Sequence, residues 1–428
     1  MVAPMRPNRQ LPQQKPSRMR RSRRRKRRAP EIPDPTGSGR PVVLQVLPAL
    51  ASGGVERGTV EVARALRAAG GTAIVVSSGG PMVNQLRRAG VKHITLPLKS
   101  KNPLTIWSNV KKLVSIIEKH QVDIVHARSR APAWSAYRAA QLTGAHFVTT
   151  FHAAYGHASG IKRAYNSVMA KGDLVIAVSD FIARHVADTY EINPHRLRTI
   201  PRGVDINQFH PERVGAKRVK SLVQDWSVAT DMPVIVLPGR VSRIKGHQTL
   251  VEAMSLVGRD DLTVLMVGDT GDKPNFAREL EKMIEKRGLS WRVRLVGPSD
   301  DMAAVYSLAD LVVCPSLVPE GFGRTVAEAM AMGKPVITSD LGAPPELVAH
   351  GETGWVVPAG DPEALADAIA RTLALPPHLM TEMGQRAMSQ IQNRFTREHM
   401  CNATLSLYDE LLVSTLYDSS ELALADFE

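Results

Sequence analysis

Short, almost continuously apolar segments alternate along this chain with segments of helical periodicity, and this alternation limits the fold more than any other feature. The segment "PVVLQVLP" at 41–48 predicts a buried strand, and 55–70 predicts a helix that ends at a glycine pair. The pattern repeats to about residue 207 and starts again near residue 233. Strands that are apolar throughout are typical of parallel sheets covered by helices on both faces. The sequence therefore predicts an α/β protein with two Rossmann-like, doubly wound domains that face a cleft.

The chain divides into four predicted segments. Residues 1–38 form a basic tail, 39–207 the N-terminal domain, 208–395 the C-terminal domain, and 396–428 a helix to about residue 416 with an acidic end. We expect that last helix to return to the N-terminal domain. Ligands of parallel α/β sheets bind beyond the carboxyl ends of the strands, so the cleft between the two domains is the expected site.

Positive charge is concentrated at the start of the chain. The net charge is +14, and residues 1–30 hold twelve Lys or Arg and no acid, which leaves 14 − 12 = +2 for the rest. The tail has too few apolar residues to offset its chain entropy, so we predict that it is disordered. Two interpretations of its charge are equally good: a solvated extension without a partner, and a segment attracted to an anionic membrane surface. Nucleic acid is a weaker one, because no aromatic residues are interleaved to stack on bases.

Targeting and redox features indicate a protein of the cytoplasm. No apolar stretch follows the basic run, so we expect no signal peptide, and no segment is long and apolar enough for a transmembrane helix. The two cysteines give no disulfide framework, which suits a reducing compartment. Peripheral attachment to the cytoplasmic face of the inner membrane is the expected role of the tail, if it has one.

Two loops after predicted strands carry residues suited to phosphate. Gly53 and Gly54 separate the first strand from the first helix, where backbone N–H groups approach an anion at the positive helix end. A tight turn without a ligand explains the same pair. Arg240 and Lys245 follow the first strand of the second domain, in "LPGRVSRIKGHQTL". Arg offers a planar fork and Lys a point charge to phosphate oxygens, although a solvated loop would also hold them.

The stretch "PEGFGRTVAEAMAMGKPVI" at 319–337 places two carboxylates around the start of a predicted helix. Glu320 precedes the helix, Glu328 lies about one turn inside it, and Gly321 and Gly323 leave the N–H groups between them accessible. Carboxylates beside anion-binding donors suit a ligand that carries both hydroxyls and phosphate. Helix capping and a surface glutamate are the structural alternative.

Three further residues at predicted strand ends are candidates. His152 ends "TTFH", and Arg128 and Arg130 lie in "HARSRAPAW". The two arginines would meet phosphates or sugar-acid carboxylates of an acceptor, or form salt bridges with neighbouring acids. No His or Cys cluster has metal-ligand spacing, so we expect no essential metal and no cofactor.

Several motifs together resemble one family. In order along the chain they include "SGGVERGTVEVARAL", "TTFH", "AVSDFI", "IPRGVDINQF", "PGRVSRIKG", "PEGFGRTVAEAMAMGKPVI" and "GETGWVVPAGD". They extend from residue 41 to about 365 and resemble the retaining glycosyltransferases of the GT-B fold, family four. Less specifically, "VHARSRAPAW" and "YNSVMAKGD" are similar to alphaproteobacterial members of lipopolysaccharide core assembly.

The resemblance implies a role for each matching residue. Arg240 and Lys245 would bind the donor diphosphate, Glu328 the ribose hydroxyls, and Glu320 the donor sugar. The implied catalytic set is Glu320, His152, Arg240 and Lys245. The implied donor-binding set is Gly54, Arg240, Lys245, Glu320, Gly321, Phe322, Gly323 and Glu328. The first domain would bind the acceptor through Gly53, Arg128 and Arg130. Arg202 departs from the family, which more often has Asn before "GVD", so its role stays open.

The expected function is therefore metal-independent transfer of a hexosyl unit, with retention, from a UDP- or GDP-sugar to a glycan or glycolipid of the cell envelope. Lipopolysaccharide is the expected pathway. A nucleotide-sugar epimerase of the same fold is the first alternative. A nucleic-acid-binding or scaffold protein that acts through the basic tail is the second.

Overall fold

The computed structural model describes residues 41–425, except 52, 101, 157–159, 230 and 272–273. Side chains are described up to residue 413, apart from that of Pro274. The predicted disordered tail, 1–38, lies outside the described residues.

Two parallel sheets organise the described chain. The first has seven strands in the order β3-β2-β1-β4-β5-β6-β7, and the second has six in the order β10-β9-β8-β11-β12-β13. The strands of the first sheet are β1 Val42–Val46, β2 Thr72–Ser77, β3 Lys92–Thr95, β4 Ile124–Ala127, β5 His146–Phe151, β6 Leu174–Ala177 and β7 Leu197–Thr199. Those of the second are β8 Val234–Pro238, β9 Thr263–Val267, β10 Val293–Gly297, β11 Leu311–Cys314, β12 Val336–Ser339 and β13 Gly354–Val357.

Helices connect successive strands, as parallel pairing requires. Those of the first half of the chain are α1 Gly54–Ala68, α2 Val83–Arg88, α3 Pro103–His120, α4 Arg130–Thr143, α5 Gly160–Asn166, α6 Asp180–Tyr190 and α7 Ala216–Asp225. Those of the second half are α8 His247–Met254, α9 Pro274–Lys286, α10 Met302–Leu308, α11 Arg324–Ala331, α12 Pro344–Leu347, α13 Pro362–Leu373, α14 Pro377–Arg394 and α15 Arg397–Ala425.

Both faces of each sheet are buried. In β1, Leu44 and Val46 belong to one hydrophobic cluster, whereas Val43 belongs to another on the opposite face. The second sheet is covered in the same way, with Val236 and Ile235 of β8 in different clusters. Alternate residues of a strand point to opposite faces, so this division shows helices packed on both sides of each sheet. The predicted fold class of two Rossmann-like, doubly wound units is confirmed. We call the first sheet with its helices the first lobe, and the second sheet with its helices the second lobe.

The chain crosses from one lobe to the other twice, and the two crossing segments lie side by side. The N–H of Val204 donates to the carbonyl of Phe395 at 2.8 Å, and the N–H of Arg397 donates back to Val204 at 2.8 Å. From there α15 packs on the first lobe, where the Tyr408 hydroxyl lies 2.7 Å from Nδ1 of His126. The domain division at 207–208 and 395–396 stays a prediction.

The last helix is longer than expected. The sequence predicts that it ends near residue 416, whereas the structure continues it to Ala425. The extension has a simple cause, because residues 397–425 contain no Gly or Pro to interrupt a helix. Among the helices of the described chain, none combines the length and the apolar character needed to cross a bilayer.

Candidate active site

Each lobe has one point where the strand order reverses. It lies between β1 and β4 in the first sheet and between β8 and β11 in the second. Ligands of such sheets bind at the carboxyl ends of strands around this point. Gly54 follows β1, Arg240 follows β8 and Glu320 follows β11. The topology therefore brings these sequence-predicted residues to the strand edges where a ligand is expected.

Lys245 and Glu320 form the best-defined pair of the second lobe. The Lys245 Nζ lies 2.7 Å from Oε1 of Glu320, and each side chain is about three-quarters buried, with 25% and 22% exposed. The Ser316 hydroxyl donates to the same carboxylate oxygen. Oε2 of Glu320 accepts no hydrogen bond from another described residue. The pair thus holds a cation and a carboxylate side by side with one oxygen left for a ligand hydroxyl.

Gly246 explains how Lys245 reaches this position. It has φ +72°, and a Cβ there would lie 1.9 Å from the carbonyl oxygen of Pro315. Only glycine permits both the left-handed conformation and this close approach to the segment after β11. The loop after β8 therefore packs on that segment. The Lys245 side chain lies over Gly239, and Arg240 beside it is exposed, with no ion pair from its guanidinium to a described residue.

The N-terminal end of α11 faces the gap between the lobes. Gly323 precedes the helix with φ +92°, and the Phe322 ring is buried 6.0 Å from that of Phe395. Within the described part of the chain, the N–H groups of Phe322 and Gly323 donate to no acceptor. Unpaired N–H groups at a helix N-terminus attract negative charge. This end of α11 is therefore suited to an anionic ligand.

Glu328 is nearly buried, at 7% exposed, and has three protein partners. Arg324 Nη2 lies 2.9 Å and Arg57 Nη1 3.8 Å from its Oε1, and the Tyr306 hydroxyl lies 3.3 Å from Oε2. Arg57 belongs to the first lobe, so this carboxylate also links the lobes. A ribose bound here would have to share or replace these arginines. The alternative of a surface glutamate is wrong.

His152 lies at the end of β5 and is held by Arg202. Arg202 is 8% exposed as a residue; its Nη1 donates to the Gly54 carbonyl at 2.5 Å, and its Nη2 lies 3.0 Å from Nδ1 of His152. Because a guanidinium only donates, Nδ1 must accept, and the proton of the neutral ring is on Nε2. Nε2 is buried and has no hydrogen-bond partner among the described residues. Arg202 thus fixes the tautomer of His152 and leaves one N–H available.

Burial and positive charge set the protonation of this group. Burial, followed by the charges of Arg202 and Arg128, lowers the pKa of His152 well below its usual value. His152 is therefore neutral at pH 7. Burial, followed by Arg128 and Arg324, lowers the pKa of Arg202 to about 9, so Arg202 stays cationic at that pH. Burial also raises the pKa of Glu61, whose charge acts on Arg202.

Gly321 contacts the first lobe directly. A Cβ at this position would lie 2.3 Å from the carbonyl oxygen of His152 and 3.3 Å from Cα of Ala153. The loop that carries Glu320 therefore lies against the end of β5. Glycine at 321 is required because backbone atoms occupy the space of any side chain.

A further interlobe contact involves Glu346 of α12. Its carboxylate accepts hydrogen bonds from the N–H groups of Asp180 at 3.0 Å and Phe181 at 2.5 Å, at the N-terminus of α6. Arg184 lies 3.5 Å away. A carboxylate at this end of a helix is stabilised by the helix dipole and by free N–H groups.

The remaining predicted residues separate into two groups. Arg128 is 4% exposed, and its Nη2 lies about 3.1 Å from where a Cβ of Gly58 would be, so it lies beneath α1. Arg130 lines an open cavity on the first lobe. Gly53 is exposed at the start of α1. A search of the described residues finds no group of three or more His, Cys, Asp or Glu that could hold a metal, and metal independence stays a prediction.

Known protein families match both the first and the second half of the described chain. The family described as "Glycosyltransferase Family 4" matches residues 52–208, and "Glycosyl transferases group 1" matches residues 232–374. A crystal structure of a glycosyltransferase from Rickettsia africae superposes with a TM-score of 0.82 and 38% identity, over 87% of this chain and 99% of that one. The chain belongs to glycosyltransferase family 4. The predicted resemblance to family 4 is thereby confirmed, whereas retention of configuration stays a prediction.

Relatives of this family 4 glycosyltransferase differ in what they act on. The lipopolysaccharide core biosynthesis mannosyltransferase LpcC of Rhizobium leguminosarum is 35% identical over 246 residues, which are 56% of this chain and 65% of LpcC. The N-acetyl-alpha-D-glucosaminyl L-malate synthase of Bacillus anthracis is 28% identical over 70% of this chain and 78% of its own. Anabaena HepE, solved with UDP and glucose, shares the fold at 23% identity, with a TM-score of 0.75 over 86% of this chain and 99% of its own.

Several residues of this candidate site are not indicated by the sequence motifs. Arg57 and Arg324 carry the clearest signal, since each lies in the first turn of a helix, where a cation is disfavoured unless an anion compensates it. Ser316 follows β11 directly but has no distinctive pattern. Glu346 gives no sequence signal, because its partners at 180–181 lie more than 160 residues away.

Proposed function

We propose that this chain is a retaining glycosyltransferase that moves a hexosyl unit from a UDP- or GDP-sugar to a glycan or glycolipid. The observation that carries the proposal is the Lys245–Glu320 pair, whose charged atoms lie 2.7 Å apart near the N-terminal end of α11. The cation and the N–H groups of the helix end suit a diphosphate, and the carboxylate suits sugar hydroxyls. HepE, which shares the fold, was solved with UDP and glucose, so UDP-sugars are the first donors to test.

The arrangement supports bond cleavage by electrostatic stabilisation. Negative charge develops on the diphosphate as the bond from the sugar C1 to its oxygen breaks, and Arg240 and Lys245 would stabilise that charge in place of a metal ion. The acceptor hydroxyl would attack C1 from the same face, and its proton would pass to the departing diphosphate oxygen. Retention of configuration follows from attack on that face.

Glu320 is better suited to hold the sugar than to attack it. Its Oε1 is bound by Lys245 and Ser316, and because the charge of a carboxylate is shared by both oxygens, these contacts also lower the nucleophilicity of Oε2. His152 would donate from Nε2 to a sugar hydroxyl, because Nδ1 accepts from Arg202. In this proposal both residues orient the sugar, while the expulsion of water limits donor hydrolysis.

The acceptor is proposed to be a glycolipid of lipopolysaccharide or another envelope polysaccharide. LpcC acts in lipopolysaccharide core biosynthesis, and the match to it motivates this choice. The twelve basic residues among 1–30 would attract the enzyme to anionic lipid at the cytoplasmic face of the membrane. Deletion of residues 1–38 should then move the protein from the membrane to the soluble fraction. Unchanged partitioning would argue against this role of the tail.

A thermal-shift screen with UDP- and GDP-sugars tests the donor assignment. A ligand at one hundred times its Kd stabilises the folded state by about 2.7 kcal/mol, enough for a clear rise in Tm. Glu328→Ala and Arg240→Ala should reduce the shift. Arg243→Ala is a matched control from the same loop, because Arg243 pairs with Glu279. The proposal would be contradicted if no nucleotide sugar raised Tm, or if Arg243→Ala reduced the rise in Tm as much as the other two variants.

A further inference from the structure

An open cavity of about 280 Å³ lies on the first lobe, apart from the Lys245–Glu320 pair. It is at the carboxyl end of β4 and the N-terminal end of α4, and its lining includes Ser129, Arg130, Lys162 and Asn166. At about 30 Å³ per water, it has room for roughly nine waters, which suits one sugar ring better than a nucleotide. Among the described residues that line it, none is Asp or Glu.

Arg130 is oriented in this cavity by neutral groups. Its Nη1 donates to Oδ1 of Asn166 at 3.0 Å, and its guanidinium lies 4.0 Å from the centre of the Tyr155 ring. Asn166 is 1% exposed, and its Nδ2 donates to the Gly156 carbonyl at 3.3 Å, which fixes the orientation of the amide. Among the described residues, no carboxylate lies within ion-pair distance of Arg130. A guanidinium held this way keeps donors free for a bidentate contact with carboxylate or phosphate.

The other lining groups add to the preference for an anion. Lys162 of α5 brings a second positive charge to the cavity. Ser129 is the N-cap residue of α4, but its hydroxyl makes no capping hydrogen bond with the helix. The cavity therefore combines two cations with the positive end of a 14-residue helix.

Arg128, two residues before Arg130, has a different environment. It is 4% exposed, lies beneath Gly58 of α1, and lines the small void next to His152 instead. Of the two arginines that the sequence made candidates for the acceptor, only Arg130 reaches the open cavity. Tyr155, which packs under Arg130, is three residues after His152 in the same loop. The cavity is thus close along the chain to the predicted transfer site.

We infer that this cavity is the subsite for an anionic group, a carboxylate or a phosphate, on the saccharide acceptor. The inference rests on the proposed function, because it assumes that the first lobe receives an acceptor. It limits the acceptor to an acidic sugar or a sugar phosphate and assigns the recognition to Arg130 and Lys162.

The test is calorimetric titration of the full-length protein with three probes: D-glucuronate, D-glucose 6-phosphate and neutral D-glucose. We expect at least one anionic probe to bind about tenfold or more tightly than glucose at low ionic strength, and to weaken as salt is added. The stronger of the two anions identifies the group as carboxylate or phosphate. Arg130→Ala and Lys162→Ala should each weaken the binding of that anion several-fold.

Arg163→Ala is the matched control, since Arg163 is next to Lys162 but pairs with Glu191 at 3.6 Å. It should leave anion binding unchanged. If Arg130→Ala lowers Tm strongly, Arg130→Lys serves in its place, because it keeps the charge but loses the planar fork. The inference would be overturned if glucose and both anions bound equally, or if no probe bound. It would also be overturned if Arg130→Ala kept its affinity for the anion, or if Arg163→Ala lost as much of that affinity as Arg130→Ala.

Donor binding by the same proteins separates this inference from the proposed function. Arg130→Ala should bind the nucleotide sugar found in the thermal screen as tightly as the unmodified chain does. Donor binding without anion recognition would overturn the subsite alone and leave the proposed function intact. If no nucleotide sugar binds, the proposed function fails, and the assignment of the cavity to an acceptor fails with it.

Discussion

Replacing Gly321 by alanine tests whether the contact between the lobes positions the transfer chemistry. The added Cβ would lie 2.3 Å from the carbonyl oxygen of His152, whereas ordinary contacts begin at 3.4 Å. The loop that carries Glu320 must therefore retreat by about 1 Å, and no side-chain rotation can avoid this, because the obstructing atoms belong to the backbone. A misplacement of ~1 Å costs roughly 100-fold in rate, or about 2.7 kcal/mol of transition-state stabilisation.

The assay is steady-state turnover of the nucleotide sugar, together with its Kd and the Tm of each protein. We expect turnover to fall about 100-fold, with donor affinity nearly retained, because Arg240 and Lys245 are unchanged. Gly215→Ala is the control, since Gly215 has φ −67° and a Cβ there would meet no atom within 4 Å. Turnover in Gly321→Ala within about twofold of the control would refute the reasoning.

Three further outcomes are expected. Arg202→Lys replaces the two nitrogens that contact Gly54 and His152 with a single Nζ, which does not reproduce the geometry of both contacts, so turnover should fall about tenfold. The ¹⁵N spectrum of His152 should show loss of the single Nε2–H tautomer; an unchanged spectrum would contradict this role. Burial raises the pKa of Glu346, so its charge is not what stabilises the contact; Glu346→Ala, which removes the acceptor of the Asp180 and Phe181 N–H groups, should lower the free energy of unfolding by about 1 kcal/mol in urea titrations. Burial lowers the pKa of His247 to about 4 from 6.5, so the unfolded chain binds more protons below pH 6.5. The unfolding free energy should thus fall by about 2 kcal/mol between pH 7 and pH 5 through this residue, and His247→Gln should lose that part of the pH dependence.

The fold was largely predictable from the sequence, because the periodicity of a strand or helix is a local property. The segment 41–48 predicted a buried strand, and the structure has β1 at Val42–Val46 within it. Two apolar series separated near 207–232 predicted two sheets, and two sheets are present. The length of α15 is less predictable, because the acidic composition after residue 416 indicates a loose end, whereas the absence of Gly and Pro lets the helix continue to Ala425.

The sequence indicates several of the residues that the structure brings together, but not which of them pair. The motif around Glu320 and the loop of Lys245 were both singled out, yet they are 75 residues apart, and only the fold shows that their side chains meet at 2.7 Å. Arg202 was noted as a departure from the family without a role. Its contacts with Gly54 and His152 depend on two other segments of the chain, 148 and 50 residues away. Such long-range contacts leave no periodic signal in a single sequence.

The central claim is that the gap between the lobes binds a diphosphate through fixed cations. Calorimetric titration with UDP and UMP, and with GDP and GMP, measures this most directly, because each pair differs by one phosphate. One nucleoside diphosphate should bind at least about tenfold more tightly than its monophosphate. That difference should largely disappear in Lys245→Ala and remain in Arg243→Ala. Equal affinity for the diphosphate and the monophosphate in the unmodified chain, or an undiminished difference in Lys245→Ala, would contradict the account.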